Sequence, residues 1–221
     1  MRAGLFGGTF NPIHNAHLMV ATQVVRHAAL DRLFIIPCRE PPHKRPAFLA
    51  GADDRVRMIE LALPADDRIV LSDIELARNG PSYTIDTVRQ FRTRIVPDAE
   101  LFLVMGLDAF LELHTWRSYA RLIEIVQPLV VFRPEEDDPH PDHAADRMDA
   151  YIRDHLPAGY RFEDRQQRWC HRSLATIHLL RTTPLAISSS LIRRRIRSGG
   201  SITDLVPPAV NAYIEQKELY R

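Results

Sequence analysis

Two stretches of this chain combine residue types that bind phosphate. The first is Gly7–His17, GGTFNPIHNAH. The paired glycines Gly7 and Gly8 let backbone N–H groups approach a ligand with no Cβ in the way. Pro12 sets the chain direction, and His14 and His17, spaced i and i+3, share one side of a helical first turn. There the unpaired N–H groups and the positive end of the helix dipole favour an anion. Glycine amides and two imidazoles would form a phosphate cradle without a P-loop lysine. Neither G-x-x-x-x-G-K-S/T nor G-x-G-x-x-G occurs in the chain. The plainer alternative is one turn histidine and one helix-capping histidine; a two-histidine metal site would lack a third ligand nearby.

The second stretch is Ile187–Arg193, ISSSLIR, running on through Arg194, Arg195 and Arg197. Serines ahead of an apolar-periodic run are N-cap signals, and their hydroxyls can also donate to phosphate. Ile192 and Ile196 at i, i+4 would pack inward, leaving Arg193 and Arg197 along one flank. Arginine among serines at a helix start suits a polyphosphate through forked hydrogen bonds. Taken alone, the stretch also reads as a capped surface helix with a solvated basic face. A nucleic-acid patch would want interleaved aromatics and more than one helix.

Stepping outward, short apolar runs alternate with helical patterns. Strands are expected at 3–6, 33–36, 69–71, 101–105, 129–132 and 175–180, most of them continuous runs suited to burial on both faces. Helices are expected at 17–29, 53–63, 83–95, 108–113, 119–125, 144–155 and 189–198. This order predicts an α/β fold: a doubly wound, Rossmann-like parallel sheet with helices on both faces, in a single domain over 1–221. Ligands of such sheets bind beyond the carboxyl ends of the strands. Residues 134–170 interrupt the rhythm and read as an insertion or covering segment. Within 133–143, RPEEDDPHPDH, the residues Asp137, Asp138, His140 and His143 have metal-ligand chemistry, but the prolines disfavour a compact cage, so no protein metal site is expected.

With 29 basic against 28 acidic residues, no global field marks a nucleic-acid or membrane binder. Two cysteines are too few for a disulfide framework and suit a reducing cytoplasm. No apolar run reaches the roughly 18 residues of a membrane span, and the N-terminus turns polar too soon for a signal peptide.

The two phosphate stretches together resemble the paired signatures of the nucleotidylyltransferase superfamily with a His/Thr-x-Gly-His motif. Between and after them, IIPCREPPHK (35–44), NGPSYTIDT (79–87), MGLDAF (105–110), TWRSY (115–119) and DLVPPAVNAYIEQKELYR (204–221) are similar, in that order, to the bacterial nicotinate-nucleotide adenylyltransferase family. The resemblance spans nearly the whole chain and is weakest over 134–170. It implies that Gly7, Gly8, Thr9, Phe10, His14 and His17 hold the ATP phosphates and the reacting α-phosphate. It implies that Ser188, Ser189 and Arg193 contact the β,γ-phosphates, with Ile187 near adenine, and that Gly106 and Asp108 bind ribose. It assigns Lys44 to the mononucleotide phosphate, and Thr84, Trp116 and the backbone of Arg117 to the nicotinate ring. Two positions depart from the motif: Asn11 stands where the superfamily often has aspartate, and Ala16 where the motif name has glycine.

The implied reaction is attack of a nicotinate mononucleotide phosphate oxygen on the α-phosphorus of ATP, giving the dinucleotide and pyrophosphate. That oxygen is already anionic, so no general base is needed, and catalysis would be positioning plus charge neutralisation. Mg²⁺ is the expected cofactor, carried mainly by ATP phosphates and water. The expected partners are these two substrates, with no nucleic acid or membrane; a homo-oligomer is compatible with the reading. The residues agree on their own terms. Asp108 follows a strand, where a carboxylate can accept ribose hydroxyls or cap the next helix. Trp116 offers a flat face to an aromatic ring, or belongs to the core. Lys44 is on a proline-stiffened loop and Thr84 near a helix start.

Overall fold

The computed structural model describes residues 1–39, 49–132 and 143–221. The first half winds as β1 (Arg2–Gly8), α1 (Asn15–His27), β2 (Arg32–Pro37), α2 (Ala52–Ala62) and β3 (Ile69–Leu71). It continues with α3 (Thr84–Gln90), a π-helical turn over Phe91–Ile95, β4 (Glu100–Gly106), α4 (Leu107–Leu111), α5 (Tyr119–Ile125) and β5 (Gln127–Phe132). The last third holds α6 (His143–His155), β6 (Arg161–Glu163), β7 (Arg168–Cys170), β8 (Ile177–Arg181), α7 (Ser189–Arg197) and α8 (Pro208–Gln216).

The strands form one sheet in the order β3-β2-β1-β4-β5-β8-β7-β6. From β3 to β8 every pairing is parallel, whereas β7 pairs antiparallel with both β8 and β6. The doubly wound fold class is borne out, with one correction: the sheet is mostly parallel and ends in an antiparallel hairpin. β6 and β7 escape a sequence reading because each has three residues, and RFE and RWC show too little alternation to register.

The continuous apolar strands serve two cores at once. Alternate residues of β4 split between them: Leu101, Leu103 and Met105 join one, Phe102 and Val104 the other. The first core is covered by α3, α4, α5 and α6, the second by α1, α2, α7 and α8. Gly4 is required by close packing on β1, since a Cβ there would lie 2.6 Å from the Leu30 and Leu33 side chains. α8 starts with proline in its first turn, as the imide permits, and buries Val210 and Ile214 at i, i+4. The chain runs outward from β1 in both directions, to β2 and β3 on one side and β4 and β5 on the other. This topological switch point opens a crevice beyond the carboxyl ends of β1 and β4.

Candidate active site

The crevice contains a cavity of about 280 Å³ at the carboxyl ends of β1, β2 and β4. Gly7, Gly8, Thr9, Thr84, Gly106, Trp116 and Arg117 are among the residues that line it. Trp116 is half-buried against the first core with one side open to the cavity, unlike Trp169, which is fully buried and donates its indole N–H to Asp149 Oδ1 at 3.1 Å. The Arg117 guanidinium lies 4.6 Å from the centroid of the Tyr83 ring, a cation–π contact that holds a positive charge at the cavity wall. Asp108 is not a cap: Gly106 takes the N-cap position of α4, and the Asp108 side chain is 98 % exposed, with only a 3.9 Å ion pair to Arg147. An uncommitted carboxylate at a strand end can accept hydroxyl hydrogens.

Past the end of β1, where Gly7 and Gly8 still belong to the strand rather than to a turn, the Thr9–Pro12 turn leads into the histidine pair. His14 is the N-cap of α1, in extended backbone, and is buried. Its backbone N–H donates to Nδ1 of His17 at 3.3 Å, and the two rings stack with centroids 3.6 Å apart. A ring whose Nδ1 accepts a hydrogen bond carries its proton on Nε2, so His17 is set as an Nε2–H donor. The helix-capping reading is met at His14, the N-cap residue of α1. The α7 segment reaches the same turn across the chain. Arg193 Nη1 donates to the Asn11 carbonyl at 2.8 Å and Ser189 Oγ to the Pro12 carbonyl at 2.9 Å, contacts spanning 182 and 177 positions. The sequence reads these serines as N-cap signals whose hydroxyls can also donate to phosphate; Ser188 is the N-cap of α7, its Oγ accepting from the Leu191 N–H at 3.2 Å, and Ser189 gives its proton to Pro12. The first N–H groups of α7 are left as donors there. Ile187 is buried in the second core just ahead of them.

The two motif departures have plain explanations. Ala16 lies inside α1 in helical backbone, where no glycine is needed. Asn11 is buried, and its Oδ1 accepts the Ala50 N–H at 3.1 Å. Lys44, Asp137, Asp138 and His140 lie outside the described residues, and His143 opens α6. Among the described residues no group of three or more His, Cys, Asp or Glu is placed to hold a metal ion, and no helix is long and apolar enough to cross a membrane.

Two buried charges escape a sequence reading. Glu75 lines the cavity, and its Oε1 accepts from the Thr87 hydroxyl at 2.6 Å, with Arg78 at 3.6 Å. Burial pushes its carboxyl above the usual range, against the pull of Thr87, Arg78 and Ser82. No periodicity in DIELARN singles it out. Arg55 is 1 % exposed on α2, in one stripe with Met58, Ile59 and Ala62. A charged residue inside that i, i+3, i+4, i+7 apolar stripe is the signal that would have found it.

The model of the cytidylyltransferase-like family matches residues 5–195. A protein named as a probable nicotinate-nucleotide adenylyltransferase of Desulfatibacillum aliphaticivorans is 39% identical over 223 residues, covering 100% of both chains. A second protein with that name, from Pelobacter propionicus, is 40% identical over 100% of this chain and 98% of its own. This chain belongs to the nicotinate-nucleotide adenylyltransferase family. Its fold is that of the Plasmodium falciparum nicotinic acid mononucleotide adenylyltransferase complexed with NaAD, with a TM-score of 0.72 at 18% identity, over 99% of this chain and 97% of that one. The two phosphate-type stretches of the sequence, Gly7–His17 and the start of α7, are joined directly by the Ser189 and Arg193 contacts.

Proposed function

We propose that this adenylyltransferase moves AMP from ATP to nicotinate mononucleotide, giving nicotinate adenine dinucleotide and pyrophosphate as a step of NAD biosynthesis. One observation carries the reading: the segment Gly7–Pro12 lines an aromatic cavity through Gly7, Gly8 and Thr9, is met by Arg193 at Asn11 and Ser189 at Pro12, and leads into the stacked His14–His17 pair. A segment that borders a ring pocket and leads into an anion cradle suits the joining of two phosphates between two nucleotides. The nicotinate ring would stack on Trp116, with Thr84 and the Arg117 backbone at its carboxylate. The Arg117 guanidinium beside Tyr83 adds positive charge, which favours the acid over the amide.

On the ATP side, Gly7, Gly8, Thr9, Phe10 and the Nε2–H of His17 would hold the α-phosphate, with His14 stacked behind. Arg193, Ser188, Ser189 and the first N–H groups of α7 would hold the β,γ-phosphates, Gly106 and Asp108 the ribose, and Ile187 the adenine edge. The attacking oxygen is anionic, so the residues supply no base. They align two phosphates in a bound pair and offset charge on the equatorial oxygens as the bond to pyrophosphate breaks. The groups at the cradle are imidazole, guanidinium and amide N–H, which fit a phosphate and lack the oxygen ligands that bare Mg²⁺ takes. Mg²⁺ would therefore arrive with the triphosphate, neutralising phosphate charge when bound. Lys44 would meet the mononucleotide phosphate. The unpaired thiols of Cys38 and Cys170 fit a reducing cytoplasm, and residues 134–170 would serve as a covering segment within one domain.

The test is incubation with ATP, Mg²⁺ and either nicotinate or nicotinamide mononucleotide, following dinucleotide by chromatography. Faster product from the acid is expected. Equal rates overturn the acid assignment, and no product from either overturns the transfer reaction.

A further inference from the structure

Arg55 is the one arginine whose whole side chain lies among the largest fully buried groups of the described residues. A buried guanidinium normally faces a carboxylate; among the described residues none pairs with Arg55, and its four hydrogen bonds there all go to backbone carbonyls. Nη1 donates to Thr9 at 2.9 Å and to Cys38 at 2.8 Å, Nε to Ala50 at 3.2 Å, and Nη2 to Arg39 at 3.5 Å. These carbonyls belong to three separate segments: the turn after β1, the end of β2 and the start of α2. The same Ala50 donates its N–H to Asn11 Oδ1, so the turn is held at both ends.

Between those two anchors sits Phe10, with φ at +47°, a conformation a bulky side chain adopts only when its surroundings impose it. That backbone turns the Phe10 ring inward, 2 % exposed, beneath Gly8, where a Cβ would stand 3.0 Å from Phe10 Cζ. The ring meets His17 edge-on at 5.0 Å between centroids and Phe6 at 5.7 Å. His17 is thus held by the His14 N–H on Nδ1, by the His14 ring stacked on it at 3.6 Å, and by the Phe10 ring on its flank.

We propose that Arg55 is a positioning residue of the transfer reaction: by gripping the Thr9 carbonyl it imposes the left-handed turn at Phe10, and through the Phe10 ring it sets the His17 imidazole that faces the α-phosphate. The inference rests on the proposed adenylyl transfer for its kinetic consequence, and on geometry alone for its effect on His17. It needs a fork that spans three segments, which the single ammonium of a lysine cannot do.

The test is Arg55→Lys, read in two ways. In steady-state assays kcat falls about 100-fold while KM for the mononucleotide stays within about threefold, because a misplaced donor costs the transition state more than the ground state. In histidine-labelled ¹⁵N spectra, the His17 ring nitrogens of the parent protein show one fixed Nε2–H form, and in the variant they average between the two tautomers. A kcat within threefold of the parent, or His17 signals identical to the parent's, overturns the proposal. If circular dichroism shows Arg55→Lys unfolded, Phe10→Leu is read by the same two criteria, since it keeps the clamp and removes the ring that braces His17. If the parent protein itself transfers nothing to nicotinate mononucleotide, the proposed function has failed, and the His17 signals alone then decide for or against the grip of Arg55.

Discussion

Arg193→Lys tests the closure of the two ends of the chain on one nucleotide. The guanidinium uses Nη1 on the Asn11 carbonyl at 2.8 Å and Nη2 on Ser190 Oγ at 3.3 Å, leaving its remaining N–H groups for phosphate. Burial, with Arg197 adding to it and Tyr220 opposing it, lowers its pKa, but arginine begins so high that the charge persists at neutral pH. A lysine keeps the charge and loses the fork, so it can serve the carbonyl or the leaving pyrophosphate but not both. Loss of one such donor typically costs about 10²–10³ in kcat, or about 2.7–4 kcal/mol. The structural part is separate: a hydrogen bond to a charged group contributes about 1.5–3 kcal/mol. At about 2–4 °C per kcal/mol for a domain of this size, that caps the loss in Tm near about 12 °C. The assay is pyrophosphate release with nicotinate mononucleotide saturating, alongside a thermal melt. A kcat within about tenfold of the parent, in a variant whose melt is unchanged, refutes the idea that Arg193 holds both the turn and the leaving group.

Other outcomes follow from the same geometry. His17→Ala is expected to lower kcat by about 10²–10³ with little change in KM for ATP; rapid-quench single turnovers would show whether the chemical step itself has slowed. Trp116→Ala removes a stacking face worth about 1–3 kcal/mol, so KM for nicotinate mononucleotide should rise about 5–150-fold while KM for ATP holds; equal rises in both would place Trp116 outside the ring pocket. His178 is set by burial, with Arg168 and Arg2 adding to it, at a pKa lowered from 6.5 to about 4, and Nε2 lies 2.8 Å from Gln127 Oε1. The folded state therefore resists a proton that the unfolded chain accepts, and stability falls as pH drops from 6.5 to about 4, by at most about 3 kcal/mol, then levels. Urea midpoints against pH should flatten across that window in His178→Gln; an unchanged profile would assign the acid sensitivity elsewhere.

Much of this architecture was legible in order along the chain. Six strand runs and the helical periods between them specify a wound parallel sheet because strands buried on two faces must be apolar throughout, as β4 shows by feeding Leu103 to one core and Val104 to the other. β6 and β7 were not legible, because RFE and RWC are three residues long and interrupted by charged residues, unlike the wholly apolar IVL of β3. Cradle chemistry was also local. Glycines, histidines and a capped arginine helix each announce their affinity for anions through residue type and spacing. The serines were legible as helix caps, as Ser188 shows, but a hydroxyl's distant partner is a matter of where the chain returns; Ser189 donates to Pro12, far away in sequence.

Sequence alone determined which residues have the chemistry to bind phosphate or to stack on an aromatic ring, since that follows from side-chain type and short-range period. Only the tertiary structure decided that Arg193 meets Asn11, that Trp116 opens onto a cavity while Trp169 is sealed, and that a buried Arg55 holds the turn beneath His17. The reason is physical. Backbone carbonyls carry no residue identity, so a guanidinium that recognises them leaves no trace in the sequence of its partners.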